Sequence, residues 1–191
     1  MSQEDAEIVR TPLSPGDRGR RGRRRTLGER FVMRFPSTVA RITARLPSDP
    51  RSRLRRAIIV HGTRLGFEAT NRGDFDLLLA SYHPQAETHH HPHTHELAYE
   101  PTLRGREGVL RFFEEWLEEW EEVRYEPVEL VDPGGDRFTV LSEIFATGRE
   151  SGVQTRQQFA QLFELKEGWI VRVDAWMGPW DEALRGLGLS E

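Results

Sequence analysis

Polar and apolar positions alternate through Thr155, Gln157, Phe159, Gln161, Phe163 and Leu165. A short turn follows at Lys166-Glu167-Gly168, and a second β-rich run continues from Trp169 to Met177. Alternation broken by a tight Gly-containing turn predicts a hairpin. Strand side chains alternate between faces, so those six positions share one face, an apolar row with polar residues toward its open end. Such a row suits the wall of a half-buried cavity. Val123 to Val131 and Arg137 to Thr147 predict two more strands, joined by the turn Asp132-Pro133-Gly134-Gly135-Asp136.

Ahead of these strands the period changes. Val39, Ile42 and Leu46 recur at helical spacing from Ser37, and Pro47 ends the pattern. Asp49-Pro50 predicts an N-cap followed by proline at the first helical position. The helix it opens would carry Leu54, Ala57, Ile58, His61 and Leu65 on one stripe and end at Gly73. Asp74 should cap a short helix that buries Phe75, Leu78, Leu79 and Tyr82 and is closed by Pro84. Gly105 to Trp120 predicts an amphipathic helix whose many glutamates form a solvated side with no acid–base role. Ala183, Leu184, Leu187 and Leu189 mark a last helix after Pro179. Helices followed by a meander of strands predict an α+β fold.

Composition adds an extension to this domain. Hydrophobic residues are 37% and charged residues 30% of 191, polar for a single globular unit. Residues 1–36 are Arg-rich and expected to be disordered, 37–52 form an additional helix and linker, and 53–191 form the domain proper. From Met1 to Arg56, 15 arginines against 6 acids give +9, while the remainder carries −13. The run Arg18 to Arg25 reads either as a tether for nucleic acid or another anionic surface, or as a solvated tail. The absence of cysteine excludes disulfides, thiol nucleophiles and cysteine-bound zinc. No apolar run is long enough to span a bilayer, and none follows the arginines as in a signal peptide, so a cytoplasmic location and no membrane partner are expected.

Two groups of histidines are candidates for chemistry. His61 could act as a general base, or could simply bond a backbone carbonyl, the reading we favour. His89 and His91 share one strand face, with His93 and His95 beyond a proline, and could together bind Zn²⁺ or Ni²⁺. Local tracts of this kind lack the separated ligands and supporting partners of a native site, so no metal and no cofactor is assigned.

The ordered signals Asn71-Arg72-Gly73-Asp74-Phe75-Asp76, Tyr82-His83-Pro84, Arg104-Gly105-Arg106-Glu107-Gly108-Val109 and Leu165-Lys166-Glu167-Gly168-Trp169-Ile170-Val171-Arg172-Val173 resemble a SnoaL-like protein of the nuclear transport factor 2-like (NTF2-like) superfamily. The resemblance implies a cone-shaped roll: a curved antiparallel or mixed sheet wrapped around three helices that enclose a pocket, often dimeric through the sheet's outer face. Relatives include polyketide cyclases, isomerases, dehydratases and epoxide hydrolases. Where those hydrolases carry an Arg and two Asp, this chain places Ile144, Ala146 and Ala175. Asp174 is one residue away and would face inward only through a bulge. Thr88 and His90 fall where the hydrolases hold the attacking water.

The implied lining is Thr88, His90, Ser142, Ile144 and Ala146, then Gln157, Phe159, Gln161, Val173 and Ala175, with His61 or Tyr82 contributed by helices. The leading expectation is a domain that binds a small apolar ligand with a polar tip and has no complete catalytic constellation. The alternatives are a cyclase, isomerase or lyase using His90 or Asp174 as general base, and an interaction module whose basic arm binds nucleic acid or an acidic partner.

Overall fold

The computed structural model describes residues 8–13, 24–91 and 102–189. Among these, the order is β1 (Val9–Pro12), α1 (Leu27–Arg34), α2 (Pro36–Thr43), α3 (Arg53–Asn71), α4 (Phe75–Leu79), β2 (Tyr82–His90), β3 (Thr102–Arg104), α5 (Gly105–Glu119), β4 (Trp120–Asp132), β5 (Arg137–Gly148), β6 (Gln154–Lys166), β7 (Trp169–Met177) and α6 (Trp180–Gly186). The strands form one sheet in the order β1-β4-β5-β6-β7-β2-β3. Neighbours are antiparallel except β2 and β7, which run parallel. The sheet is mixed, curved and unclosed, as expected of the α+β cone. Register shifts at Pro127/Glu129 and Glu164/Leu165 mark bulges, which bend long strands.

The predicted hairpin is β6–β7. Lys166 pairs with Trp169 across a two-residue turn in which Glu167 (φ 52) and Gly168 (φ 79) both adopt positive φ. This combination matches the right-handed twist of the flanking strands. On the concave side, Ile59 and Phe67 of α3 and Val109 of α5 pack with Phe138, Phe163 and Val173 of the sheet. On the convex side, Val131, Leu141 and Ala160 are covered by Ala183 and Leu184 of α6 and by Leu189. The chain's own C-terminal helix thus occupies part of the outer sheet face.

The described residues of the segment expected to be disordered take up defined structure. β1 pairs with the edge of β4 from Val9–Asp132 to Pro12–Glu129, and Leu13 enters the core. α1 begins with a capping box: Thr26 accepts from the Glu29 amide, while Glu29 accepts from the Thr26 amide. The second carboxylate oxygen of Glu29 takes a 2.8 Å bond from Arg72, and both side chains are buried. Arg25 binds Asp74 through two bonds. Composition missed this order because the partners that neutralise these charges lie more than forty residues along the chain.

Three local expectations also change. α3 starts at Arg53 with Ser52 as its N-cap, while Asp49 accepts from the Arg51 amide in a turn of its own. Its buried stripe is Arg55, Ile59, Thr63 and Phe67, with Leu54 and Ala57 exposed. The stripe is rotated because Arg55 reaches inward, donating to both Asp132 oxygens and to the carbonyls of Pro47, Gly135 and Arg137. Pro84 does not close a helix; it lies within β2, where pairing with β7 lapses between Tyr82 and Glu87 and no ladder donor is needed.

Candidate functional site: a roofed apolar cavity

A cavity of about 300 Å³ lies between the concave sheet and the helices. The alternation read in β6 builds one wall: Phe159, Gln161, Phe163 and Leu165 all line it. β7 adds Val173, Ala175 and Met177, and α5 adds Phe112, Phe113 and Trp116. Two further contributions escaped the sequence reading. One is Tyr125 of β4. The other is a roof of Val32 from α1, Val39 and Thr43 from α2, and Leu46 just beyond. The spacing of Val39 and Leu46 signalled a helix, but nothing local showed that it would fold back over the domain.

Polar groups on this lining are few. Thr88 and His90 of β2 both line the cavity, and the His90 ring lies 4.9 Å from that of Phe112. Ala175 is the register partner of both His90 and Gln161. The imidazole and the amide therefore come from strands on either side of β7, with backbones about 10 Å apart at ordinary strand spacing. His61 lines the cavity from an exposed position on α3. Tyr82 lines it too, as the first residue of β2 rather than as part of a helix, and burial pushes its phenol upward, so it stays protonated. The Thr63 hydroxyl is buried with no hydrogen-bond partner among the described residues. No carboxylate, lysine or arginine among the described residues lines the space.

Three expected lining residues lie elsewhere. Ser142 is fully buried, and its hydroxyl donates to the Phe159 carbonyl within the sheet. Ala146 and Gln157 lie beyond the cavity toward the β5–β6 turn, with Gln157 exposed to solvent. Ile144 does line the cavity.

Asp174 is on the other face. Its register partners are Leu162 and His89, while Val173 and Ala175 on either side point inward. Arg172 grips it with bonds of 2.7 and 2.9 Å, and Nε2 of His91 lies 2.9 Å away. The His91 ring stacks on Trp176 at 4.0 Å. Burial pushes the Asp174 carboxyl upward, but the hydrogen bonds from Arg172 and His91 outweigh it and hold the group below the usual carboxylate range. This is a structural ion cluster on the convex face, remote from the cavity. His89 shares that face, with its ring nitrogens 3.2 Å from Glu87 and 3.3 Å from Thr102. No group of three potential metal ligands converges among the described residues. His93 and His95 lie outside those residues, as does Arg18 to Arg23.

The sequence matches the family model described as the SnoaL-like domain over residues 64–173, more than half of the chain. The chain belongs to the SnoaL-like family. No curated protein matches it. Among solved structures, it is similar to an NTF2-like protein of unknown function from Burkholderia pseudomallei, with 22% identity and a TM-score of 0.56 over 65% of this chain and 93% of that one. A candidate SnoaL-like polyketide cyclase from Jannaschia sp. shares 14% identity, with a TM-score of 0.52 over 68% and 89%. AclR, a candidate hydroxylase from Streptomyces galilaeus, also shares 14%, with a TM-score of 0.52 over 71% and 87%. At these identities the likeness concerns the fold. The α1–α2 roof lies ahead of the matched residues 64–173, and no helix among the described residues is long and apolar enough to cross a membrane.

Proposed function

We propose that this SnoaL-like protein binds a compact, mostly apolar small molecule with a carbonyl or hydroxyl at one end. The reading rests on one observation: an aromatic-rich cavity whose polar lining includes His90 and Gln161, facing inward from either side of β7. A neutral imidazole can donate or accept and an amide can do both, so together they suit an uncharged polar tip. The aromatic and aliphatic walls supply the burial that draws in the rest of the molecule. The buried Thr63 hydroxyl supports the same reading, since leaving such a group unpaired costs about 1–3 kcal/mol that a ligand oxygen could recover.

Trp116 and Trp169 line the cavity, so binding can be followed through tryptophan fluorescence. A panel of aromatic ketones and quinones is titrated into the wild type, His90→Ala and Gln161→Ala. Saturable quenching that weakens about tenfold in either variant supports the reading. No saturation with any member of the panel overturns it.

A second reading has one observation in its favour: an imidazole inside an enclosed space can move a proton within a bound substrate. His90 would then be the general base of an isomerase- or cyclase-like reaction. Turnover that disappears in His90→Ala would establish it. Asp174, held by Arg172 on the convex face, has no part in either reading.

A further inference from the structure

We infer that the α1–α2 roof is a docking surface for a membrane carrying anionic lipids. Leu27 and Phe31, four residues apart, fall on one side of α1, and Phe35, its C-cap, stands beside Phe31. They are 83%, 46% and 47% exposed, and the Phe31 and Phe35 rings lie 5.2 Å apart. Phe35 is also the N-cap of α2, and Ile42, seven residues on and 51% exposed, returns to that side of the second helix. The other side of each helix is committed: Glu29 of α1 to its buried ion pair, and Ala40 of α2, buried, to the cavity. The apolar side is therefore not a core face left open by chance.

Charge identifies the occupant. Between residues 24 and 54, seven arginines are exposed (Arg24, Arg30, Arg34, Arg41, Arg45, Arg51 and Arg53), against Asp49 as the sole exposed acid. The rest of the chain is net acidic. Large apolar side chains standing among arginines suit an interface of acyl chains and anionic headgroups, which takes up both. Nucleic acid would be served by the arginines, but it gives aliphatic Leu27 and Ile42 little to bury against. A second copy of this surface would bring like charges together. The site is peripheral and needs no membrane-spanning segment. It stands whether or not the cavity holds a ligand.

Full-length protein is co-sedimented with phosphatidylcholine vesicles with and without phosphatidylglycerol. Binding to the anionic vesicles alone, falling with added salt, is expected. The exposed pair Phe31→Ser/Phe35→Ser should weaken it at least tenfold, and Arg30→Gln or Arg34→Gln by about fivefold each. Unchanged melting confirms that each variant is folded; should the serine pair melt early, Leu27→Ser, at the most exposed position, replaces it. Failure to bind anionic vesicles at low salt overturns the proposal. So does binding indifferent to the apolar substitutions, tighter binding to single-stranded nucleic acid that survives them, or sedimentation equilibrium showing that the same substitutions dissolve a dimer.

Discussion

A Cβ on Gly168 would meet the Ala40 carbonyl oxygen at 1.8 Å. The β6–β7 turn and the roof helix α2 thus meet backbone to backbone, with no room for a side chain between them. Gly134 makes a similar approach to Ser48, and the Gly135 amide donates to the Ser48 carbonyl, so the roof segment rests on two hairpin turns. Gly168→Ala therefore combines positive-φ strain with a backbone collision. It should cost more than about 3 kcal/mol, or lift α2 off the turn. Gly135→Ala is the comparison: it shares positive φ (65°), but no atom lies within 4 Å of the point a Cβ would occupy, so only backbone strain of about 1–2 kcal/mol is expected. Urea unfolding midpoints measure the difference. A lifted roof would show as binding of an apolar fluorescent dye by the folded variant.

Glu29 holds the other end of the roof. Its carboxylate completes the capping box of α1 and pairs with buried Arg72. Glu29→Gln keeps a side chain able to accept from the Thr26 amide but leaves Arg72 short of charge. Breaking a buried pair costs about 3–5 kcal/mol, and the remaining contact from Arg72 to Asp74 at 3.4 Å points to the lower end. Thermal unfolding of the variant checks the magnitude. Susceptibility of residues 24–46 to proteolysis tests whether the roof comes loose.

Asp174→Asn should leave cavity binding unchanged, because the residue faces away from it, while lowering stability by removing the partner of Arg172 and His91. The wild-type carboxyl is held below its ordinary value, so its contribution is fully present at neutral pH and disappears as pH falls through that depressed value. The stability difference between wild type and variant should thus be widest near pH 7 and close in acid below about pH 4. Denaturant titrations across pH measure it; a constant difference would sink the assignment.

Arg55 ties α3 to the β4–β5 turn through four hydrogen bonds, two of them to Asp132, and to the Pro47 carbonyl ahead of α3 through a fifth. Arg55→Met should destabilise by about 3–5 kcal/mol by leaving a buried carboxylate and three carbonyls without their donor. Arg55→Lys should recover only part of this, since an ammonium cannot copy the planar fork. Equilibrium unfolding of the two variants orders them.

Much of the fold was legible because its signals are local. The period-two run in β6, the Gly-containing turn and the glutamate-backed face of α5 each depend on residues within one element. The face assignment of Phe159, Gln161 and Phe163 followed from alternation alone. What could not be read depends on distant partners. Arg55 sits on a buried stripe only because Asp132 meets it there, and α1 is tied down through an arginine beyond α3. Ser142 illustrates a finer limit: its face was read as inward, but the Phe159 carbonyl takes its hydroxyl, and the cavity does not include it.

The parallel pairing of β2 with β7 has a consequence for how the molecule comes into being. His90 meets Ala175 only after the intervening helix and three long strands have been made. During synthesis, the inner wall bearing Thr88 and His90 has no β7 neighbour until residues 169–177 have left the ribosome. Contacts this remote in sequence form slowly. The open edge of β2 and the aromatic face of α5 are thus the surfaces most in need of a chaperone in a nascent or truncated chain.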